Sequence, residues 1–299
     1  MYEDVNAVNA RIKAFAEKVR SGELKSVAGK AFKTFLVVGI GGSYLGVDFL
    51  NEALSLYGGD FSLKFVANVD PVDFMRVTRT CDPSETLVII ISKTFTTAET
   101  MMNADRVRKW LIAGNADQAE ADVVASNMVA VSTNLELTAK FGIKDDNVFG
   151  FWDWVGGRYS ASSAVGLLPL YLTYGNIMDD FLAGMRSVDV HFRDNATPEN
   201  WRKNLPLLLG LLGILSINGY GFSHRAIVPY SQSLLKFCAH IQQLDMESSG
   251  KQCKTDGTSI SETGPVVFGE PGTNSQHSYF QLMHQGRAMP AEFIGYCKS

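Results

Sequence analysis

Short, continuous apolar runs separated by stretches of helical composition constrain this chain more than any other feature. Thr34-Phe-Leu-Val-Val-Gly-Ile40, Leu63-Lys-Phe-Val-Ala67, Thr86-Leu-Val-Ile-Ile-Ile91 and Met128-Val-Ala-Val131 do not alternate polar with apolar residues. Strands buried on both faces of a parallel sheet read this way. Ala98 to Ala113 and Glu120 to Ala125 between them have helical composition. Right-handed crossovers and a doubly wound α/β sheet are therefore expected over residues 30 to 150. A helix-rich span from Ser160 to Gly219 follows, in which Thr197-Pro-Glu is expected to cap and open a helix. The alternation then restarts, with strands at Arg225–Tyr230, Pro265–Phe268 and Ala291–Ile294 and helices at Ser231–Leu244 and Thr273–Gln285. Three strands make a parallel sheet that rarely stands alone, so the natural polypeptide is expected to continue. The domains expected are residues 1–180, with a leading helix, and residues 181–299, with linking helices and a partial second α/β unit.

Composition narrows the function classes. With 46% hydrophobic and 19% charged residues in 299, the chain can bury one large core or two ordinary ones. Its 27 Lys+Arg against 31 Asp+Glu give a formal net charge of -4, which offers no basic field to a nucleic acid or an anionic membrane. Cys81, Cys238, Cys253 and Cys297 are far apart and form no C-x-x-C pair, so reduced thiols are expected rather than a zinc knuckle or redox dithiol. No two histidines have metal-ligand spacing, and His191, His224, His240 and His284 are read as surface or packing residues. The first thirty residues lack a signal-peptide apolar region, and Leu205 to Ile217 is too short to span a bilayer. A cytoplasmic protein without membrane, metal or nucleic-acid partners is expected.

Five segments carry chemistry. Gly39-Ile-Gly-Gly-Ser-Tyr-Leu-Gly46 lies where a strand hands over to a helix, so its N–H groups could cradle an anion. It lacks the G-x-G-x-x-G spacing and the Walker lysine, and a tight packing turn would explain it as well. Ser92-Lys-Thr-Phe-Thr-Thr97 follows the strongest strand and precedes a helix, grouping hydroxyls, a Lys and free helix N–H groups into a phosphate pocket. Trp154-Val-Gly-Gly-Arg-Tyr-Ser160 aims a permanent charge from a loop whose glycines permit close approach, although an isolated Gly-Gly-Arg reads better as a surface Arg in a loop. Gln242, Gln243 and Asp245 to Lys251 close a helix, where Glu247 opposes the dipole. Gly269-Glu-Pro-Gly-Thr-Asn-Ser-Gln-His277 is a strand-to-helix loop carrying an imidazole.

Taken together, GIGGSYLG (Gly39–Gly46), ISKTFTTAET (Ile91–Thr100), VGGRYSASSAVG (Val155–Gly166), QQLDMESSGK (Gln242–Lys251) and GEPGTNSQHSYFQLMHQG (Gly269–Gly286) resemble the glucose-6-phosphate isomerase family. The resemblance implies two doubly wound sugar isomerase (SIS) domains, the second incomplete here. It implies phosphate binding by Ser43, Ser92, Lys93, Thr94 and Thr97 and backbone contacts at Gly42 and Gly157. Arg158 becomes the cation beside a developing enediolate, and Glu247 the base moving a proton between C1 and C2. Gln243 becomes a substrate contact, and His277 the imidazole that assists ring opening. Tyr44, Val47, Phe268 and Ser275 stand where the family usually has Asp, Pro, Trp and Gly. Family members extend beyond both ends of this chain, into a C-terminal arm whose lysine also works on ring opening, so a fragment with little activity of its own is expected.

The implied reaction interconverts glucose 6-phosphate and fructose 6-phosphate through a cis-enediol without a cofactor. A homodimer is implied, with His277 entering the partner's site. The alternatives are a non-catalytic phosphosugar-binding SIS protein and an isomerase that also accepts mannose 6-phosphate.

Overall fold

The computed structural model describes residues 1–297. They form two compact units with the boundary between Met178 and Asp179.

In the first unit, α1 (Tyr2–Arg20) leads to β1 (Thr34–Val38), α2 (Leu45–Ala53), β2 (Ser62–Val66), α3 (Pro71–Thr78) and β3 (Thr86–Ile91). Then come α4 (Ala98–Ala113), α5 (Glu120–Asn127), β4 (Met128–Val131), α6 (Leu135–Phe141), β5 (Val148–Phe149) and α7 (Ala164–Tyr174). The strands are all parallel, in the order β2-β1-β3-β4-β5. Every residue of β3 is buried, as a central strand covered on both faces requires. Leu36, Val38, Val88, Ile90, Met128 and Ala130 form one core with Ala104, Val107 and Leu111 of α4 and Val123 and Val124 of α5. The alternate residues of β1 face the other way, where the wholly buried α7 packs against β1 and β2. Arg20 donates to Leu172 O and Thr173 O at 2.9 and 2.7 Å, satisfying the last carbonyls of α7. Its guanidinium also lies 4.7 Å from the Phe61 ring centre. The two-residue β5 is too short to register as an apolar run.

In the second unit, α8 (Ile177–Asp194) starts at the boundary and is followed by α9 (Leu205–Ile214), β6 (His224–Pro229) and α10 (Phe237–Gln242). Next are β7 (Val266–Phe268), α11 (Phe280–Gln285) and β8 (Ala291–Ile294). The sheet is parallel, in the order β7-β6-β8, and Ile227, Cys238 and Val267 are its buried centre. Thr197 caps only one turn, accepting from Asn200 N at 3.3 Å. The helix cap instead is Asn204, which directly precedes the apolar run and accepts from Leu207 N at 3.1 Å, with Pro206 in the first turn. Both long helices read from the sequence are broken. Ser231–Leu244 resolves into a 3₁₀ turn (Gln232–Leu234), α10 and a π turn (Gln243–Glu247), and Thr273–Gln285 into a 3₁₀ turn (Asn274–His277) and α11. No residue of α9 is buried, and Leu212 and Ile214 are 57% and 60% exposed. Among the described residues, no helix is long and apolar enough to cross a membrane.

Candidate active site

In the first sheet the chain leaves β1 for β2 on one side, while β3 lies on the other, so the loops after β1 and β3 diverge. Open α/β sheets bind ligands at such a switch point. The two strand ends are close: a Cβ added to Gly39 would lie 3.3 Å from Ile91 O. After β1 the chain makes the 3₁₀ turn Gly41–Ser43, with Gly41 at φ 57. After β3, Phe95 holds φ 56, a left-handed conformation costing roughly 1–2 kcal/mol for a residue with a Cβ. Its side chain is 3% exposed and meets Phe141 edge to face at 5.7 Å, so core packing offsets that cost. This inward Phe leaves Thr94 and Thr96 exposed, with their hydroxyl oxygens 2.6 Å apart. Ser92 Oγ donates to Thr97 Oγ1 at 3.4 Å. Thr97 occupies the N-cap of α4 without a side-chain cap bond, so the first N–H groups of α4 lie beside four hydroxyls.

The Gly156–Ser160 segment reaches the same edge. A Cβ on Gly42 would lie 2.2 Å from Gly157 C and 2.7 Å from Arg158 N, so these backbones touch only because residue 42 is glycine. Ser160 Oγ joins them, donating to Gly157 O at 2.6 Å and Gly42 O at 3.3 Å. Arg158 is half-buried, its guanidinium 5.1 Å from the Tyr159 ring centre. Lys93 Nζ donates to Asp153 O at 2.6 Å and Val155 O at 3.5 Å and lies 3.8 Å from Asp153 Oδ1. Gly42, Ser43, Ser92, Lys93, Thr94, Thr97, Gly157 and Arg158 thus lie on loops tied together at the C-terminal edge of one sheet. Tyr44 turns aside, its hydroxyl donating to Asp48 Oδ2 at 2.9 Å and its ring edge-on to Phe65. Burial, followed by the Asp48 charge, pushes the Tyr44 pKa up.

In the second unit, Gln243 and Glu247 face each other across the π turn, and Gln243 Nε2 donates to Glu247 Oε2 at 3.0 Å. The Glu247 side chain is exposed. Its turn is anchored by Arg225 of β6, 3.0 Å from Asp245 Oδ2 and 3.5 Å from Glu292 Oε1 of β8. Gln242 Nε2 also donates to Val267 O of β7 at 3.0 Å. His277 ends the 3₁₀ turn after β7 and is exposed. A Cβ on Gly269 would stand 1.8 Å from Ile227 O, and one on Gly272 2.5 Å from the Tyr230 ring, so these glycines seat the loop. His191 accepts from Leu205 N at 3.3 Å, and His284 meets the Phe280 ring at 6.0 Å, both structural contacts. Sequence reasoning missed Phe95, Asp153, Ser160 and Arg225. Only Phe95 left a signal, a lone apolar residue inside a polar loop.

The family model described as phosphoglucose isomerase matches residues 1–299. Cytosolic glucose-6-phosphate isomerase B of Oryza sativa subsp. japonica is 51% identical over 99% of this chain and 52% of its own length. The cytosolic enzyme of Arabidopsis thaliana is 51% identical over 97% of this chain and 52% of its own. The chain therefore spans about half the length of these curated relatives. The crystal structure of a glucose-6-phosphate isomerase from Chlamydia trachomatis superimposes with a TM-score of 0.86 at 35% identity, covering 98% of this chain and 54% of that one. A putative phosphosugar isomerase from Silicibacter pomeroyi, 10% identical with a TM-score of 0.58 over 98% of this chain and 74% of its own, shares the fold. With the family model matched from end to end and the hydroxyl, glycine and arginine loops gathered on one sheet edge, this chain belongs to the phosphoglucose isomerase family.

Proposed function

We propose that this chain is part of an aldose–ketose isomerase that interconverts glucose 6-phosphate and fructose 6-phosphate through a cis-enediol. The observation that carries the reading is the hydroxyl-lined turn Ser92–Thr97 at the start of α4, tied to the Arg158 loop in a chain of this family.

The chemical problem is that a C–H beside a carbonyl is a weak acid. A base must be held against it, and the charge that moves onto oxygen must be neutralised. Hydroxyls of Ser43, Ser92, Thr94 and Thr97 donate to the phosphate, and this remote binding fixes the reacting carbons. Backbone at Gly42 and Gly157 admits the sugar closely. His277 assists opening of the pyranose ring. Glu247 takes the proton from C2 of the open aldose, the C–H electron pair forms the C1–C2 double bond, and the carbonyl pair moves to O1. Arg158 neutralises that oxygen, the O2 proton passes to O1 as the ketose carbonyl forms at C2, and Glu247 returns its proton to C1, leaving a C1 hydroxyl. The amide of Gln243 holds the Glu247 carboxylate in its turn and is assigned a contact with the substrate. No net oxidation occurs, so no redox cofactor enters. A cytosolic location accords with the names of the rice and Arabidopsis relatives, and a homodimer in which His277 serves the partner's site accords with its exposed loop.

The test is a full-length protein carrying this sequence, given fructose 6-phosphate and assayed for both aldoses. Glucose 6-phosphate formation is expected. Binding without turnover would mean a phosphosugar-binding module, and mannose 6-phosphate as a second product would widen the specificity.

A further inference from the structure

We infer that Lys93 is a positioning residue whose ammonium holds the Asp153–Arg158 segment against the hydroxyl cradle instead of gripping the phosphate. An ammonium has three N–H groups to direct. Lys93 Nζ donates to Asp153 O at 2.6 Å and Val155 O at 3.5 Å and lies 3.8 Å from Asp153 Oδ1, all in one segment. The charge-assisted bond to Asp153 O is the strong one. The Asp153 carboxylate is 96% exposed, so its attraction to Lys93 is screened and contributes little. The main chain of Lys93 is fixed as well: its carbonyl accepts from Ser132 Oγ, Thr133 N and Thr133 Oγ1 at 3.1, 3.0 and 2.7 Å. Lys93 is therefore a strut from the end of β4 to the segment that becomes Gly157-Arg158 two residues after Val155. On the far side, Ser160 and the Gly42 contact hold that turn. Only the catalytic role of Arg158 rests on the isomerase reading; the strut itself does not.

The test uses the 299-residue chain with inorganic phosphate as the probe, and the variants Lys93→Met, Lys93→Arg and Thr97→Ala. It reads phosphate affinity by calorimetry and the rate of tryptic cleavage after Arg158. A third readout is the near-ultraviolet circular dichroism of Trp152 and Trp154, which flank Asp153 and stack with ring centres 5.6 Å apart. Lys93→Met should speed that cleavage about tenfold and change the Trp signal, while phosphate affinity stays within about threefold. Lys93→Arg, still able to donate to the carbonyls, should restore both loop readouts, and Thr97→Ala should weaken phosphate and leave the loop alone. A loss of phosphate affinity of about tenfold in Lys93→Met, with cleavage and Trp signal unchanged, overturns the inference. Should the unsubstituted chain bind no phosphate, the cradle reading fails, while the two loop readouts still decide the role of Lys93.

Discussion

Gly42 and Gly157 touch backbone to backbone beside the proposed site, yet an added methyl group should have opposite consequences at the two positions. At Gly42 the new Cβ would sit 2.2 Å from Gly157 C, 2.3 Å from Gly157 O and 2.7 Å from Arg158 N. The carbon–carbon distance is more than an ångström inside the roughly 3.5 Å at which carbon atoms pack. All three neighbours are backbone, so no side chain can swing away and the two loops must part. At Gly157 the nearest atom to a new Cβ is Gly42 Cα at 3.9 Å, an ordinary contact. Neither glycine has a positive φ, so conformational freedom does not separate them. Gly42→Ala should therefore cost about 1–3 kcal/mol as an overpacked contact. For a unit of this size that lowers the melting temperature by roughly 2–12 °C. Gly157→Ala should stay within about 0.5 kcal/mol of the parent. The parting also displaces Arg158, and a shift of about 1 Å can cost about a hundredfold in turnover, which a full-length protein would report. Differential scanning calorimetry of the two variants side by side is the assay. Equal losses, or a larger one at Gly157, would refute the close-approach argument.

Further outcomes follow from other features. Phe95→Ala should lose about 3–5 kcal/mol of core packing in urea unfolding, and Phe95→Gly should be no worse, because the left-handed φ cancels the usual penalty of glycine. Burial holds the His240 pKa below its ordinary 6.5, so the unfolded chain takes up the proton first. Stability should then fall as pH drops below about 6.5 and level off under the folded pKa, and His240→Gln should flatten that slope in urea midpoints measured at several pH values. In the proposed full-length homodimer, His277→Ala and Glu247→Gln should each be nearly inactive, and refolding the two as a mixture should restore activity, because in a mixed dimer one composite site would carry both lesions and the other neither. A mixture as inactive as its parents would assign His277 to its own chain.

The legible parts of the fold were those where burial on both faces removes ambiguity. Thr86–Ile91 and Met128–Val131 emerge with the bounds read from the sequence, because a central parallel strand shows no competing polar face. Ser231–Leu244 reads as one helix because Leu234, Phe237, Cys238 and Ile241 keep a helical period whether the hydrogen bonds are 3₁₀, α or π. The helix cap lies at Asn204 and not at Thr197: a Thr-Pro-Glu turn and an Asn204 cap each look like a helix start, and only the apolar run after Asn204 tells them apart. In the site, residue type announced the hydroxyl loop. What brings the loops together is through-space: the Gly42–Gly157 approach, the Ser160 bridge and the direction of the Lys93 side chain join residues more than fifty positions apart, and no local pattern records them.

The central claim is that Glu247 carries a proton between C1 and C2. The most direct measurement is nuclear magnetic resonance of fructose 6-phosphate turned over in D₂O by a full-length protein carrying this sequence, beside its Glu247→Gln variant. The account predicts glucose 6-phosphate carrying deuterium at C2, because a carboxylate exchanges its proton with solvent before returning it. Glu247→Gln should slow that incorporation about 10²-fold to 10⁴-fold. Product free of deuterium, as a hydride shift would give, or unchanged incorporation in the variant, would contradict it.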